Sequence, residues 1–422
     1  MQSLAQRAVR FEKFLDDNGR DTDGIVCSVL KADELRPWRN SDFEGKGYEL
    51  WDHWAGDYAG AMNYEDAIMA TGRYADAKIL KHLGGGGDKT VLADAAQAVK
   101  ALLAISREGD KVEPGYLPKP YGGLRQASKS RNISTDQYEH ALFALWHFRQ
   151  ACPASPLVPD IESAVVRWAD YFIRHDFEFD YYGLARVVVE QAVHTLGFYL
   201  PLMAVAHRIT GNPEYGQVLT SRLVPLVREH LIIKDDSPAW IAHPNITNLI
   251  VMGLLYCWQN DICKAECRQA IGLWTRLGLK WLSRDGLAYC YAEGSDTSPV
   301  APHYIEGAPA LNLKFLMWRS NVKGADSCKI AHTLLLAHQV FPGEGWRDQA
   351  LDILGRFREV TDFRRYHDPN GDQIPAEFAY MRNILSTPHM GAWLQSYFLA
   401  TRPANAVSFR KVERALKHRR RH

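Results

Sequence analysis

Helical periodicity runs through nearly the whole of this chain, and it comes in pairs. From Ser3–Asp16 to Ser408–His418, roughly thirteen segments place apolar residues at three-and-four spacing. Short connections between successive segments put neighbours side by side and antiparallel. Both members of most pairs carry broad apolar faces and many aromatics. A helix that is apolar all round must be buried all round, and one with a single apolar face must lie outside it. Hairpins of this kind close into a two-layer ring, with inner helices enclosed and outer helices exposed on one side. No short sequence repeat marks an ordinary solenoid. No strand–helix–strand alternation or glycine fingerprint marks a nucleotide-binding sheet.

The chain divides on this reading into three parts. Residues 1–44 form an N-terminal helix and an irregular lead-in, with an extended piece at Ile25–Leu30. Residues 45–402 form the ring, opening with a long helical pattern over Tyr48–Thr71. Residues 403–422 form a last helix and the basic KHRRRH tail. A formal net charge of +1 over 422 residues gives no push toward nucleic acid, so no nucleic-acid partner is expected. No stretch is long and apolar enough to span a membrane, so none is expected as a partner either. The first residues, MQSLAQRAVRFEKFLDD, are charged throughout and lack an apolar signal core. The 7 cysteines include no CxxC pair, which points to free thiols rather than zinc ligands. A cytoplasmic location is the expectation. Oligomeric state is not legible.

The chemistry gathers at Ser128–Gln150, SKSRNISTDQYEHALFALWHFRQ. Ser134 reads as an N-cap with Gln137 at capping-box spacing. Asp136 falls in the first turn, and Asp136, Glu139 and His140 share one side of the helix. The long loop before it, Glu113–Asn132, brings Tyr116, Tyr121 and Arg125 as a binding wall, with Arg131 and Tyr138 at the junction. A carboxylate beside an imidazole at a cleft rim is suited to general acid/base work. Asp136 as a simple complement to the helix dipole is the plainer alternative.

Further polar loops should converge on the same mouth, over 109–134, 176–186, 232–247, 284–309 and 363–388. The loop Asp235–Asn248 offers Trp240 as a flat stacking surface, with His243 and Asn245 to hold a hydroxyl or carboxylate. Tyr291–Gly307 offers His303, Tyr304 and Glu306, where a His–Tyr pair suits proton abstraction by one and donation by the other. Glu190 and His194 stand four apart in a helix read over Arg186–Thr210. His389 opens a late helix. DPNGDQIPAE looks like a calcium loop with Asp368, Asn370, Asp372 and Glu377 as oxygen ligands. The same Asp-Pro-Asn-Gly is an excellent turn, and no cofactor is expected.

The alternating hairpins, the AHRITGNPEY turn (Ala206–Tyr215), the WLSRDGLAY turn (Trp281–Tyr289) and the STDQYEHALFALW helix start (Ser134–Trp146) together resemble the (α/α)6 toroid carbohydrate-active enzymes. That group holds the six-hairpin glycosidases, the unsaturated uronyl hydrolases and several polysaccharide lyases. The resemblance covers about residues 45–400 and implies an all-α (α/α)6 toroid with long loops at one end. It implies a glycoside hydrolase acting on uronic-acid-containing, including unsaturated, oligosaccharides or polysaccharides, with Asp136 as general acid. The alternative is a lyase working by β-elimination through His243 and Tyr304, with Asn245 and Arg131 neutralising the uronate carboxylate. A sugar epimerase with paired histidines and a non-catalytic glycan-binding scaffold are the further alternatives.

Overall fold

The computed structural model describes residues 2–43, 57–85, 89–181, 185–233, 243–282, 286–290, 322–323, 326–364 and 383–402. Among them the helices are α1 Leu4–Phe14, α2 Tyr58–Tyr64, α3 Ala67–Leu83, α4 Lys89–Asp110, α5 Thr135–Ala151, α6 Val158–Arg174 and α7 Leu196–Thr210. There follow α8 Pro213–Val218, α9 Val224–Leu226, α10 Pro244–Gln259, α11 Lys264–Leu279, α12 Ser327–His338, α13 Trp346–Arg356 and α14 Thr387–Thr401.

Two helices show how burial sorts them. α3 buries every residue from Ala67 to Leu80, which a helix can do only when neighbours surround it. α6 buries Ile161, Ala164, Val165, Trp168, Ala169, Tyr171 and Phe172, a single stripe. The enclosed helices pack in a closed cycle: α3 on α5, α5 on α7, α7 on α10, α10 on α12, α12 on α14, and α14 back on α3. The outer layer is α1, α4, α6, the α8–α9 stretch, α11 and α13. α1 lies against α14 and is tied to α3 by the Glu12 ion pairs with Lys78 at 2.8 Å and Lys81 at 2.7 Å. This is the (α/α)6 toroid. Among the described residues, no helix is long and apolar enough to cross a membrane.

Local signals set the turns. At the TGNPEY turn, Gly211 takes φ 71° after α7, and the Asn212 side chain accepts from the Glu214 N–H while Pro213 opens α8. A left-handed glycine after a helix and a proline at the first position of the next are the expected stop and start. The extended piece expected near Ile25–Leu30 is β1, Val29–Lys31, paired antiparallel with β6, Ile384–Ser386. A second pair, β2 Glu178–Tyr181 with β3 Ala185–Val188, stands where a helix from Arg186 was expected. The run ARVVV is rich in branched residues, which favour a hairpin over the first turns of a helix. β4 Tyr289–Cys290 pairs with β5 Val322–Lys323.

All six inner helices run the same way, because each returns through an outer helix. Their N-termini therefore share one end of the ring, and the predicted loop 109–134 leads into the N-terminus of α5; most of 284–309 and 363–388 lies outside the described residues.

Candidate active site at the inner-helix N-termini

The helical pattern read over Tyr48–Thr71 is interrupted within the described residues, at Glu65–Asp66. The Asp66 N–H bonds to Ser28 Oγ at 2.6 Å, and Ser28 itself donates to Asn63 O at 2.6 Å and accepts from the Thr387 N–H at 3.2 Å. A partner more than thirty residues away thus ends α2 and makes Asp66 the N-cap of α3. The break places Glu65 and Asp66 at the mouth.

The start of α5 differs from the capping box that its spacing predicts. Ser134 has N-cap backbone geometry, φ −154° and ψ 148°, but its side chain does not cap. The hydroxyl donates to the Asp136 carboxylate instead, and Asp136 Oδ1 also accepts the Gln137 N–H at 2.8 Å. The Gln137 side chain turns away from its own helix. Its Oε1 accepts from the Met69 N–H at 3.0 Å, and its Nε2 donates to Asp66 Oδ1 at 3.3 Å. A competing acceptor and donor on α3 outbid the local box.

The loop ahead of α5 supplies the cation. Tyr138 is fully buried; its hydroxyl donates to Gly115 O at 2.8 Å and accepts from the Leu117 N–H at 2.6 Å. Pinned there, the loop delivers the buried Lys119 to Glu65 at 2.5 Å, and the Tyr121 hydroxyl donates to the other Glu65 oxygen. Burial would raise the Glu65 carboxyl, but Lys119 prevails and holds it below the ordinary value. Asp136 goes the other way. Burial raises it, Asp66 adds to the rise, and the Lys119 charge only partly opposes them. One carboxyl is biased toward its protonated form beside another on an adjacent helix start, which is how acid and base roles separate.

The opposite arc of the mouth is organised by Asp326, at the start of α12. Its Oδ1 lies 2.8 Å from His389 Nε2 and 3.1 Å from Lys329 Nζ. Its Oδ2 lies 3.9 Å from His243 Nε2. Burial alone would raise Asp326; Lys329, His389 and His243 hold it well below the carboxylate range. His243 keeps 29% of its side chain exposed. The Asn245 N–H donates to its Nδ1 at 3.3 Å, which leaves the ring proton on Nε2. Asn245 sits two residues on, its side-chain oxygen buried and unpartnered. His194 stands in the short turn before α7, where burial lowers its pKa to about 4.

Several expected site residues are placed elsewhere. Glu190 is exposed in the turn after β3, 3.1 Å from Arg222 on the outer layer, because the hairpin swings it away from the ring. Arg131 is exposed, and its guanidinium donates to Ser128 O at 2.9 Å and Ser130 O at 3.1 Å, closing its own loop. Tyr138 is consumed in pinning that loop. His140 is 2% exposed and faces the ring interior rather than the mouth. His389 is 5% exposed with Ser386 Oγ on Nδ1 and Asp326 on Nε2, a structural histidine. Trp240, His303, Tyr304 and Glu306 lie outside the described residues, as do Asp368, Asn370, Asp372 and Glu377. Sequence reasoning passed over Glu65, Asp66, Lys119 and Asp326. The signal was present for two of them: acids directly preceding the helical runs at Ala67 and Ser327 fit helix starts.

Below the mouth the ring axis is polar. Arg73 donates to Gln395 Oε1 and Asn248 Oδ1, both at 2.8 Å, and Gln395 donates to Asp76 Oδ2 at 2.8 Å. Arg73 Nε, Glu139 Oε1 and His140 Nε2 are buried without partners. Burial first, then Asp136, push Glu139 well above its ordinary value against the pull of Arg73. A carboxyl raised in the folded state destabilises it as pH climbs from the unfolded value toward the folded one. Glu139→Gln should therefore raise Tm at pH 7 by the equivalent of roughly 1–3 kcal/mol and change little at pH 4. Melting curves at both pH values check this; equal shifts would refute it.

No protein-family model matches this chain, and no curated protein matches it. Among solved structures it is similar to one described as a possible member of the GH105 family from Salmonella enterica subsp. enterica serovar Paratyphi A str. ATCC 9150. The identity is 13% and the TM-score 0.46, over 94% of this chain and 93% of that one.

Proposed function

We propose that this toroid is a glycoside hydrolase for uronic-acid-containing oligosaccharides, with Asp136 as the proton donor and Asp66 as its partner carboxylate. The observation that carries the reading is the pair itself: two carboxylates at adjacent inner-helix N-termini, linked through Gln137, with Asp136 raised by burial. A carboxyl whose pKa burial raises gives up its proton less readily to water, and positioned at the cleft it can protonate a glycosidic oxygen or the ring double bond of an unsaturated uronyl end. The second carboxylate then draws the proton from an attacking water or stabilises the positive charge that develops on the sugar. The inner-helix dipoles at the mouth favour the anionic form of that second group.

A second reading has an observation of its own. Asp326 stands beside His243, whose Nε2–H is a donor suited to a uronate carboxylate as negative charge develops on it during β-elimination. An epimerase with two working histidines fits less well, because His389 is buried and bonded at both ring nitrogens.

Ultraviolet absorbance separates the readings. The protein is added to saturated uronate oligosaccharides and to the same oligosaccharides after lyase treatment. Loss of the conjugated double bond is the expected result, since hydrolysis of an unsaturated end consumes it. Appearance of new absorbance would instead establish elimination. No change with either set, and no new reducing ends, would overturn the assignment to uronate chemistry.

A further inference from the structure

Gln137 is fully buried, and each polar atom of its side chain has a partner on α3. Its backbone N–H holds Asp136, its amide N–H holds Asp66, and its amide oxygen is held by the Met69 N–H. One residue thus touches both carboxylates of the proposed pair and the backbone of the first turn of α3. We infer that Gln137 is a positioning residue that fixes the separation and orientation of Asp66 and Asp136 across the two helix starts. This rests on the function proposed above for what the pair does, but not for the coupling itself.

The physical argument is one of competition. A glutamine three residues after an N-cap serine satisfies local N–H groups when nothing better is offered. Here the side chain gives up that role and spans to the neighbouring helix. Without the bridge, two carboxylates facing one another would drift apart by repulsion, each on its own helix start. The bridge supplies a neutral donor to one and, through the backbone, a donor to the other, in addition to the Lys119 charge that acts on both. Catalytic groups lose about 100-fold in rate for displacements of about 1 Å.

The donor and acceptor halves of the amide separate this role from a structural one. Gln137→Glu keeps an oxygen for the Met69 N–H and loses the N–H donor toward Asp66, but it also adds an acidic group beside both carboxylates, so the neutral variant decides. Gln137→Met keeps the volume and loses both. The titratable groups facing Asp136 are Lys119 from the loop, Asp66 and Arg73 from the α3 side, and Glu139 from its own helix. None of these is altered by either variant.

The experiment has two readouts. The first needs no substrate: carbon-13 titration of aspartate carboxyls in the wild type, Gln137→Glu and Gln137→Met, with Asp136→Asn and Asp66→Asn used to assign the signals. The Asp136 and Asp66 midpoints should both move by about half a pH unit or more in Gln137→Met, which removes the bridge without adding a charge. The second is turnover, with kcat falling roughly 10- to 100-fold and KM within about 3-fold. Unmoved midpoints in a folded Gln137→Met protein would overturn the positioning role, whatever the substrate proves to be. Moved midpoints with no uronate turnover in the wild type would uphold the coupling and sink the hydrolase reading alone.

Discussion

Asp136→Asn should leave the toroid folded and lower kcat/KM by roughly 100- to 10,000-fold, the range for removing a positioned general acid. The fold should survive because the side chain is partly exposed and works there as an acceptor. Ser134 Oγ and the Gln137 N–H both donate to Asp136 Oδ1, and an asparagine oxygen accepts both. What the amide lacks is a transferable proton. The wild type should also lose activity on the alkaline side. A general acid works only while protonated, and burial raises the pKa at which Asp136 gives its proton up. The rate should therefore hold below that raised value and fall as pH climbs through it, a limb that Asp136→Asn should lack. Steady-state rates from pH 4 to 9, with circular dichroism of both proteins, test this. Undiminished turnover in Asp136→Asn would remove Asp136 from the mechanism.

The largest expected loss of stability comes from one added methyl group. A Cβ at Gly253 on α10 would lie 1.9 Å from Gly197 O on α7, and one at Gly197 would lie 2.5 Å from Leu249 O. Both obstacles are helix backbone, so no side-chain rotation relieves the clash. The two inner helices would have to part. A ring transmits that displacement, since α7 and α10 are each held by a further inner neighbour. Overpacking typically costs about 1–3 kcal/mol, and a rigid backbone contact belongs at or above the top of that range. Gly253→Ala should lower Tm by several degrees or prevent accumulation of folded protein. Gly355→Ala is the control. Its Cβ would meet nothing within 4 Å, it sits inside α13, and alanine there should stabilise by roughly 0.5–1 kcal/mol. Differential scanning calorimetry of the two variants should show shifts of opposite sign. A neutral Gly253→Ala would mean that the α7–α10 contact is looser than its geometry.

The mouth was partly legible. Asp136 announced itself as an acid in a first helical turn after a long loop; His243 and Asn245 were flagged by their polar loop, and His194 by its spacing of four from Glu190. Glu190 and Arg131 have the right residue types and the wrong surroundings. A hairpin in place of the first turns of α7 carried Glu190 outward, and local carbonyls captured Arg131. Asp66 was hidden by periodicity itself. The apolar spacing continues across Glu65–Asp66, and the helix is broken there by Ser28, which no window around residue 66 contains. Tyr138 looked like a ligand contact and proved to be the pin that holds the loop carrying Lys119.

The sequence by itself determined the class of fold. Apolar spacing decides which segments are helices, and the breadth of each apolar face decides which are enclosed. Short turns such as TGNPEY decide that neighbours are antiparallel. Those are local properties, set by propensity, capping and patterning within a few residues. Tertiary structure decided which polar groups meet. Ring closure sets α3 beside α5 and α12 beside α14, so Asp66 faces Asp136 and Asp326 gathers His389, Lys329 and His243. It also reassigned Gln137 from its own helix to the next. Each of those choices is a competition between a local partner and a distant one, and the distant one exists only once the ring has closed.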